Sequence, residues 1–385
     1  MNVHEADPAA LDDWDAHAVD APGGNVHQSR AWAGYRGAFG WRPRFLVTDD
    51  SARVLALTRA WPLVGGNGAY VSRGPLPDAD VNATLARLEA VTAWLSEHGS
   101  AVVASDAEVP AESGYPGMLA AAGFHRIEEL QPSRHRLAVD LIGGRDPAAL
   151  LATFSATTRN MIRAAERSDL RIVRIGPAPR PVTGSWSAPA GDVSGESGEP
   201  GVGPTGPAGL DALQAELEVL YRSMQATADR RGFGLASQPR FIDWSRRAFA
   251  DGHLVYLGAR EPGGGLVAGA TFYRHGRRWT YSHAADDAGF RKAYPGAVRL
   301  LVWEAIKGAL AEGRDEMDLG GVDVPGARRR PEPGEPAHGM LTFKESFGAR
   351  WIELSGAHER VISPVRYGLG RIASRLATAV GRRAG

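Results

Sequence analysis

The amino-acid sequence predicts an α/β (α+β) protein made of two similar halves, each built around a mixed sheet. Helical and strand patterns alternate through residues 1–141, and a longer version of the same order follows through residues 142–350. A strand and a basic helix over 351–385 then return to the first half. A chain of 385 residues is long enough for roughly two to three domains. We therefore expect a first domain at 1–141, a second at 142–350, and a C-terminal segment that rejoins the first.

Hydrophobic spacing and turn residues predict the elements of the first half. Trp32, Tyr35 and Phe39 recur at helical spacing in the first of them. The predicted order is a helix over 27–41, strands over 43–50 and 53–64, a Pro/Gly turn at 72–78, a helix over 83–99, a buried strand from 101, a helix followed by a strand over 117–127, and a strand over 135–141.

The second half begins with a predicted helix over 146–169, with Asp146 as N-cap and Pro147 in the first turn. Residues 177–209 are rich in Pro, Gly and Ser and lack periodicity, which predicts a disordered insertion. The other predicted elements are a strand over 171–175, a helix over 210–232, three strands with hairpin turns at 261–265 and 274–278, a helix over 297–313, a strand ending in a glycine turn over 316–322, and a strand over 347–356.

Composition narrows the possible functions. The formal net charge is zero, so any contact with a polyanion has to be local. The chain has no cysteine, which excludes thiol nucleophiles and thiolate metal sites. Histidines are scattered singly, and no HExxH, GxSxG or P-loop motif is present, so we expect no metal. An acidic N-terminus and the lack of a run of ~18 apolar residues predict a cytoplasmic protein.

One lysine stands out against the basic composition. Of the 44 Lys and Arg residues only three are lysine, and one of them, Lys344, lies in the segment GMLTFKESFGARW over 339–351. An ammonium is a compact, rotatable charge, whereas a guanidinium is a planar fork. Lys344 is therefore either a solvated surface lysine or a position where arginine will not serve.

The segment FRKAYPGAVRLLVWEAI over 290–306 leads through a loop into a helix, an arrangement that can bind a phosphate at the helix N-terminus. Acyl-CoA N-acyltransferases place a pyrophosphate there. In this chain the loop carries Pro295 and a single glycine, Gly296, so few backbone amides are available. The pattern is a weak indication of CoA binding.

Several segments together resemble the Fem-type (FemABX) peptidoglycan bridge aminoacyl transferases, and their order is more specific than any one of them. The most specific is F-K-x-x-F-G followed by a strand and Ser-Pro-x-x-Tyr. The segments that carry the resemblance are 27–41, the turn RGPLPD at 73–78, TTRNMIRAAERS at 157–168, TADRRGF at 227–233, 281–306, MDLGGV at 317–322 and 339–367.

The resemblance implies two tandem acyl-CoA N-acyltransferase-like domains with mixed sheets. It implies transfer of an amino acid from the 3′ end of an aminoacyl-tRNA to the stem-peptide amine of a peptidoglycan precursor, either lipid II or a UDP-muropeptide. No cofactor is expected, because the aminoacyl ester is already activated. The turn EPGGG at 261–265 leaves no room for the helical arm that some members carry, so the chain resembles the compact members.

Site residues follow from the same resemblance. Lys344 is expected to serve the tRNA end and its reacting ester, as a cation facing phosphate or oxyanion, and Phe343 to stack on a base or sugar. On the precursor side the matching residues are Arg36, which replaces a family lysine, Arg230 or its neighbour Arg231, Tyr281 and Asp106. Each also has a structural alternative: solvated helix charges for the arginines and a core position for Tyr281.

Other basic segments leave two interpretations open. Arg159, Arg163 and Arg167 fall on one helix face and either meet tRNA phosphates or are solvated. The loop 326–336 offers three further arginines. In the tail, an apolar stripe of Leu369, Ile372, Leu376 and Val380 either packs on the first domain or makes a peripheral contact with the inner membrane surface, with Arg371, Arg375, Arg382 and Arg383 supplying cations.

Three functional alternatives remain at this point. The same transfer onto a small molecule or peptide of secondary metabolism would use the same chemistry. An acyl-CoA N-acyltransferase would use the same fold. A catalytically silent member would only bind the cell-wall precursor.

Overall fold

The computed structural model describes residues 1–62, 64–131, 134–142, 146–177, 206–232, 234–322 and 329–381, with residues 206–207, 231 and 375–381 described by their backbone only. The chain divides into two compact units, one of residues 1–135 with 352–385 and the other of residues 136–351. The first division lies before the boundary expected at 141, because the strand that follows residue 134 pairs in the second sheet.

The first unit begins with a meander of antiparallel strands and then a parallel pair. Its elements are β1 (Val3–Glu5), α1 (Pro8–Asp12), α2 (Trp14–Ala18), α3 (Arg30–Gly37), β2 (Arg42–Thr48), β3 (Arg53–Ala60), β4 (Asn67–Val71), α4 (Val81–Glu97), β5 (Ser100–Ser105), α5 (Tyr115–Ala121) and β6 (His125–Arg126), with short 3₁₀ turns at Val26–Gln28 and Ala111–Ser113. Strands β4 and β5 run parallel across the crossover helix α4, as a βαβ unit requires.

The second unit repeats the plan with a longer antiparallel stretch. Its elements are β7 (His135–Asp140), α6 (Pro147–Thr153), α7 (Ala156–Glu166), β8 (Arg171–Ile175), α8 (Gly206–Arg231), α9 (Gln238–Ala250), β9 (Leu254–Arg260), β10 (Leu266–His275), β11 (Arg278–Asp286), α10 (Ala297–Ala311), β12 (Glu316–Asp318), α11 (His338–Glu345) and β13 (Arg350–Glu353). The chain then contributes β14 (His358–Val361) and α12 (Pro364–Gly381) to the first unit.

Each unit contains one mixed seven-stranded sheet. The strand orders are β1-β2-β3-β4-β5-β14-β6 and β13-β7-β12-β11-β10-β9-β8. In the first sheet, β14 pairs antiparallel with both β5 and β6 although more than two hundred residues separate them in sequence. The predicted class, an α/β fold with two mixed sheets, is confirmed.

Two local predictions have different outcomes. The three strands β9, β10 and β11 are joined by hairpin turns at the predicted places. Most of the predicted disordered insertion over 177–209 lies outside the described residues, namely residues 178 to 205. Its last residues are helical, because α8 begins at Gly206. The long amphipathic run that follows provides a reason for this earlier start.

Apolar faces of the helices form the cores. In the first unit Val91 and Leu95 of α4 are fully buried in one cluster with Val54, Val71 and Val103 of the sheet. In the second unit α10 is buried along most of its length, and its apolar side chains form one cluster with strands β9 to β12. Among the helices that the structure describes, none is long and apolar enough to cross a membrane.

The last helix is held to the first unit by a tryptophan lying over a glycine. A Cβ added at Gly370 of α12 would lie 2.1 Å from the indole of Trp61, so only glycine fits beneath this ring. Tyr367, one turn earlier, donates its hydroxyl to Glu359 of β14 at 2.6 Å. These contacts fix which side of α12 faces the sheet.

We expect Gly370→Ala to lower the free energy of unfolding by about 1–3 kcal/mol, because the added methyl overlaps the Trp61 ring. Gly368 is the matched control, since a Cβ there meets no heavy atom within 4 Å. Gly368→Ala should be neutral or stabilising by up to about 1 kcal/mol, the helix preference for alanine. Urea unfolding of both variants measures the difference, and equal stabilities would show that Trp61 does not pack on Gly370.

Candidate functional site

In the second sheet, the central strand β11 pairs with its neighbour β12 over only a short stretch. Strand β11 pairs with β12 only from Arg278 to Thr280, opposite Glu316 to Asp318. Beyond that point β11 continues to Asp286 paired with β10, whereas the chain after β12 turns away at Gly320, whose φ is +72°. Residues 281–284 of β11 are consequently half-buried in the middle of a sheet. The pairing of the two strands therefore ends at Thr280, and we call this gap in the pairing the cleft.

Lys344 lies at this cleft. It is on the last turn of α11, it is only 5% exposed, and its Nζ donates a hydrogen bond to the carbonyl oxygen of Gly321 at 2.6 Å. A Cβ added at Gly320 would lie 3.5 Å from that Nζ and 3.4 Å from the carbonyl oxygen of Tyr281. Lys344 is thus not a solvated surface lysine, because α11 points its ammonium inward to the glycine turn after β12.

Burial lowers the pKa of the Lys344 ammonium from 10.5 to about 8, and the nearby carboxylate of Asp318 opposes this shift. Asp318 is itself buried, accepts a hydrogen bond from the Gly320 amide at 2.7 Å and lies 4.0 Å from Nε of Arg278. An ammonium with a pKa close to neutral can give up a proton and regain it within one reaction cycle. Sequence analysis did not single out Asp318 or Gly320, although both stand in the predicted strand-and-glycine-turn segment.

Phe343 precedes the lysine and is half-buried, with its ring 5.4 Å from that of Phe347. The guanidinium of Arg299, from the first turn of α10, lies 5.1 Å from the Phe343 ring centre, and its Nε donates to Thr158 Oγ1 at 3.2 Å. Burial lowers the pKa of Arg299. Phe343 is therefore in cation–π contact with Arg299, a residue of the candidate site that the sequence did not single out.

Tyr281 begins the unpaired part of β11. Its ring packs against Phe272, with 5.7 Å between ring centres, and burial raises the pKa of its hydroxyl. Among the described residues no side chain or backbone group hydrogen-bonds to that hydroxyl. The ring is thus packed against the core, as the structural alternative expected, while the residue still lies at the cleft.

The N-terminus of α10 is covered by another helix. Gly296 is its N-cap and is buried, and a Cβ there would lie 2.3 Å from the carbonyl oxygen of Met161 in α7. The backbone of α7 therefore stands against the place where a phosphate would approach this helix end. The position offers less room than the phosphate-binding helix ends that the sequence pattern resembles.

A separate cavity of about 850 Å³ lies in the first unit. Arg36 lies over the ring of Trp41 at 4.8 Å, and Arg59 lies over the same ring at 5.8 Å. Trp61, Tyr70, Leu130 and Ser374 are among the other lining residues. In the described part of the chain, no acidic side chain forms an ion pair with Arg59. The sequence singled out Arg36 as a candidate for precursor binding. It did not single out Arg59, which lies at the end of an apolar strand and lines the same cavity.

Asp106 lies beneath the same cavity. Its side chain is fully buried, one oxygen accepts from the Tyr70 hydroxyl at 2.8 Å, and the other accepts from the Arg73 amide at 2.6 Å. Burial raises the pKa of Asp106, and the positive charge of Arg73 opposes this. The expectation that Asp106 touches the substrate does not match this placement, because no surface of the carboxylate is exposed. It instead fixes Tyr70, which lines the cavity.

Other arginines that the sequence singled out lie on helices of the second unit or at their ends. Arg230 is exposed at the end of α8, near enough to Asp286 to help lower the pKa of that carboxyl, after the larger effect of Arg291. The side chain of Arg231 lies outside the described residues. Arg159 donates to the carbonyl oxygen of Ala152 at 3.1 Å, so it caps a helix end and does not continue the row of Arg163 and Arg167, which are exposed.

The arginines of the loop 326–336 are paired where they are described. Arg329 forms ion pairs with Glu332 and Glu335, and Arg330 pairs with Glu345. Residues 326–328 lie outside the described ranges. This loop therefore offers less positive charge to a polyanion than its sequence suggested. Within the described ranges, no three His, Asp or Glu side chains come together as metal ligands would.

Comparison with known proteins defines the fold. Residues 204–329 match the model of the acetyltransferase (GNAT) domain. No curated protein matches the chain by sequence. The crystal structure of FemX superposes with a TM-score of 0.72 at 16% identity, over 96% of this chain and 99% of that one.

Two further solved structures are similar. A conserved protein of unknown function from Bacteroides thetaiotaomicron has a TM-score of 0.53 at 13% identity, over 93% of this chain and 98% of that one. The C-terminal domain of a putative lysylphosphatidylglycerol synthetase from Agrobacterium fabrum has a TM-score of 0.50 at 13% identity, over 96% of both chains. The resemblance to the Fem-type proteins is confirmed in fold, and the GNAT-domain match supports an acyltransferase.

We expect the side chain of Lys344 to titrate near pH 8, because its ammonium is buried. The chain has only three lysines, so NMR of lysine-labelled protein gives three side-chain signals. The signal that titrates near pH 8 should be the one missing from the Lys344→Met variant. The folded pKa is below the unfolded one, so the buried charge costs stability at pH 7, and this cost should disappear as the pH rises from 8 through 10.5. A Lys344 signal that titrates near 10.5 would contradict the burial of this ammonium.

Proposed function

We propose that this protein is a tRNA-dependent aminoacyl transferase that joins an amino acid to the stem-peptide amine of a peptidoglycan precursor, lipid II or a UDP-muropeptide. The observation that carries the proposal is the buried Lys344 ammonium at the opening between β11 and β12. It is compact and positively charged, it is fixed by the Gly321 carbonyl oxygen, and its pKa is lowered to about 8. The resemblance to the Fem-type family supplies the substrate class.

The reaction is an aminolysis of an activated ester. The acceptor amine nitrogen bonds to the ester carbonyl carbon, and the bond from that carbon to the ribose oxygen breaks. The amine loses a proton, and the ribose oxygen gains one. A preorganised cation stabilises the oxyanion that forms between these two events. Lys344 fits both needs, because its ammonium can face the oxyanion and can then give a proton to the departing ribose oxygen.

The side chains around Lys344 are of the kinds that bind the end of a tRNA. Phe343 presents a half-buried ring on which a base or sugar can stack, an interaction worth about 1–3 kcal/mol per base. Arg299 stands over the same ring and adds a cation for phosphate. Tyr281 lies at the start of the cleft with its hydroxyl free of partners among the described residues. We assign the aminoacyl-tRNA end to this cleft of the second unit.

The cavity of the first unit fits the precursor. Arg36 and Arg59 are held on Trp41, and a guanidinium binds phosphate oxygens in a bidentate manner. The cavity of about 850 Å³ has the size of a small-molecule site. We assign the diphosphate portion of the precursor to this cavity. A small-molecule acceptor of secondary metabolism would use the same chemistry, so the acceptor has to be decided by product analysis.

The second candidate is an acyl-CoA N-acyltransferase, which the GNAT match over residues 204–329 favours. Its pyrophosphate would need the N-terminus of α10. The backbone of α7 at Met161 stands 2.3 Å from a Cβ built on Gly296, which weighs against that position. We therefore expect no tight binding of acetyl-CoA.

Transfer activity tests the leading proposal. The protein is incubated with charged tRNAs and either lipid II or UDP-muropeptide, and the products are weighed by mass spectrometry. Lys344→Met, which keeps the buried volume, should slow transfer by about 10²–10³, the usual loss when a preorganised donor to an oxyanion is removed. Lys344→Arg should also be impaired, because a fork does not fit a pocket built for an ammonium. The rate should fall above about pH 8 in the parent and not in Lys344→Met.

Lys292→Met is the matched control, since Lys292 is exposed, and it should transfer at the parental rate. Wild-type rates from Lys344→Met would remove the lysine from the reaction. Micromolar or tighter binding of acetyl-CoA by calorimetry, together with no transfer from any charged tRNA, would favour the acyl-CoA candidate. Binding of the precursor without transfer from any charged tRNA would indicate a catalytically inactive protein that only binds the cell-wall precursor.

The cavity assignment has its own test. Arg36→Gln and Arg59→Gln should each weaken calorimetric binding of UDP-muropeptide by about 10–100-fold, because each removes charged hydrogen bonds worth about 1.5–3 kcal/mol. Arg126→Gln, an exposed arginine elsewhere in the first unit, should bind normally. If all three variants bind alike, the diphosphate does not lie between Arg36 and Arg59.

A further inference from the structure

The apolar stripe of α12 faces away from the first unit. Val365, Leu369 and Ile372 are 73%, 49% and 57% exposed. At 3.6 residues per turn they share one side of the helix. The opposite side holds Tyr367, Gly370 and Ser374. Tyr367 contacts Glu359, Gly370 lies under Trp61, and Ser374 lines the cavity.

This orientation bears on the two interpretations that the sequence left open. Leu369 and Ile372 were expected either to pack on the first domain or to contact lipid. The helix packs through a tyrosine and a glycine instead, which leaves its large apolar side chains in solvent. Leu376 and Val380, the other members of the stripe, lie outside the described side chains. Three large apolar side chains in a row on one helix face are unusual for a solvent-facing surface.

The charged residues of α12 itself are all arginines. Arg366 and Arg371 are exposed, and helical spacing places them on the two flanks of the stripe. The sequence of α12 over 364–381 contains no aspartate or glutamate. An apolar stripe with an arginine on each flank is typical of a helix that lies in the boundary between lipid headgroups and acyl chains.

The helix also adjoins the cavity. Ser374 of α12 lines the cavity together with Trp61, on which the helix rests. Leu130, an exposed apolar side chain at 46%, lines the same cavity. The helix that bears the arginine-flanked stripe therefore borders a cavity whose lining also includes the exposed apolar side chain of Leu130.

We propose that α12 docks on an anionic phospholipid surface, with Val365, Leu369 and Ile372 entering the headgroup boundary and Arg366 and Arg371 meeting anionic headgroups. The contact holds the cavity of the first unit next to the membrane. It does not depend on the transfer reaction, although a lipid-linked acceptor would be found at the same surface.

Vesicle flotation of the full chain tests the proposal. The protein should float with vesicles of phosphatidylglycerol and phosphatidylcholine and stay behind with phosphatidylcholine alone. Ile372→Ser should weaken binding about tenfold or more, because it keeps one large apolar side chain out of the lipid. Arg366→Gln combined with Arg371→Gln should weaken it about 25-fold, or roughly fivefold for each arginine near an anionic surface.

Ile142→Ser is the matched control, because Ile142 is an isoleucine of the second unit that is 65% exposed. It should float as the parent does, and circular dichroism should show that all variants are folded. Equal flotation with anionic and neutral vesicles, no flotation at all, or equal losses from Ile372→Ser and Ile142→Ser would each overturn the proposal. A dimer in sedimentation equilibrium that Ile372→Ser dissociates would show that a second copy covers the stripe, which would also overturn it.

Discussion

The buried ammonium of Lys344 is the constraint around which the site of the second unit is arranged. A charge that is only 5% exposed is costly unless it is hydrogen-bonded, and here the Gly321 carbonyl oxygen and the nearby Asp318 carboxylate reduce the cost. The two groups lie at the end of β12 and in the turn that follows it, and this turn needs a glycine at residue 320 because its φ is +72°. That turn is also where β12 leaves β11, so the same backbone feature opens the cleft and holds the cation in it.

The two candidate sites contain cations of different shape. In the first unit, Arg36 and Arg59 are planar groups stacked on Trp41 and suit the paired oxygens of a phosphate. In the second, an ammonium fits a narrow site beside a glycine turn, where a guanidinium would be too wide. The rarity of lysine in an arginine-rich chain is consistent with this division, since composition alone would have placed arginine there.

The sequence pointed to some residues of the two candidate sites and not to others, for a consistent reason. Lys344, Phe343 and Arg36 belong to local motifs, so they were recognisable. Arg59 and Arg299 act through rings supplied by distant segments, Trp41 and Phe343, and no local pattern marks such a contact. Asp106 was expected to contact the substrate, but its carboxylate accepts hydrogen bonds from the Tyr70 hydroxyl and the Arg73 amide. These groups become its neighbours only when β4 and β5 pair.

The sequence by itself determined the alternation of helices and strands, the two hairpins of β9, β10 and β11, and the glycine turn after β12, because each depends on periodicity or turn residues within a short window. Only the tertiary structure decided that β7 belongs to the second sheet and β14 to the first, since strand pairing joins segments far apart in sequence. It also decided which side of α12 faces outward. Periodicity shows that a helix has an apolar side, but the contact of Gly370 with Trp61 selects the side that is buried.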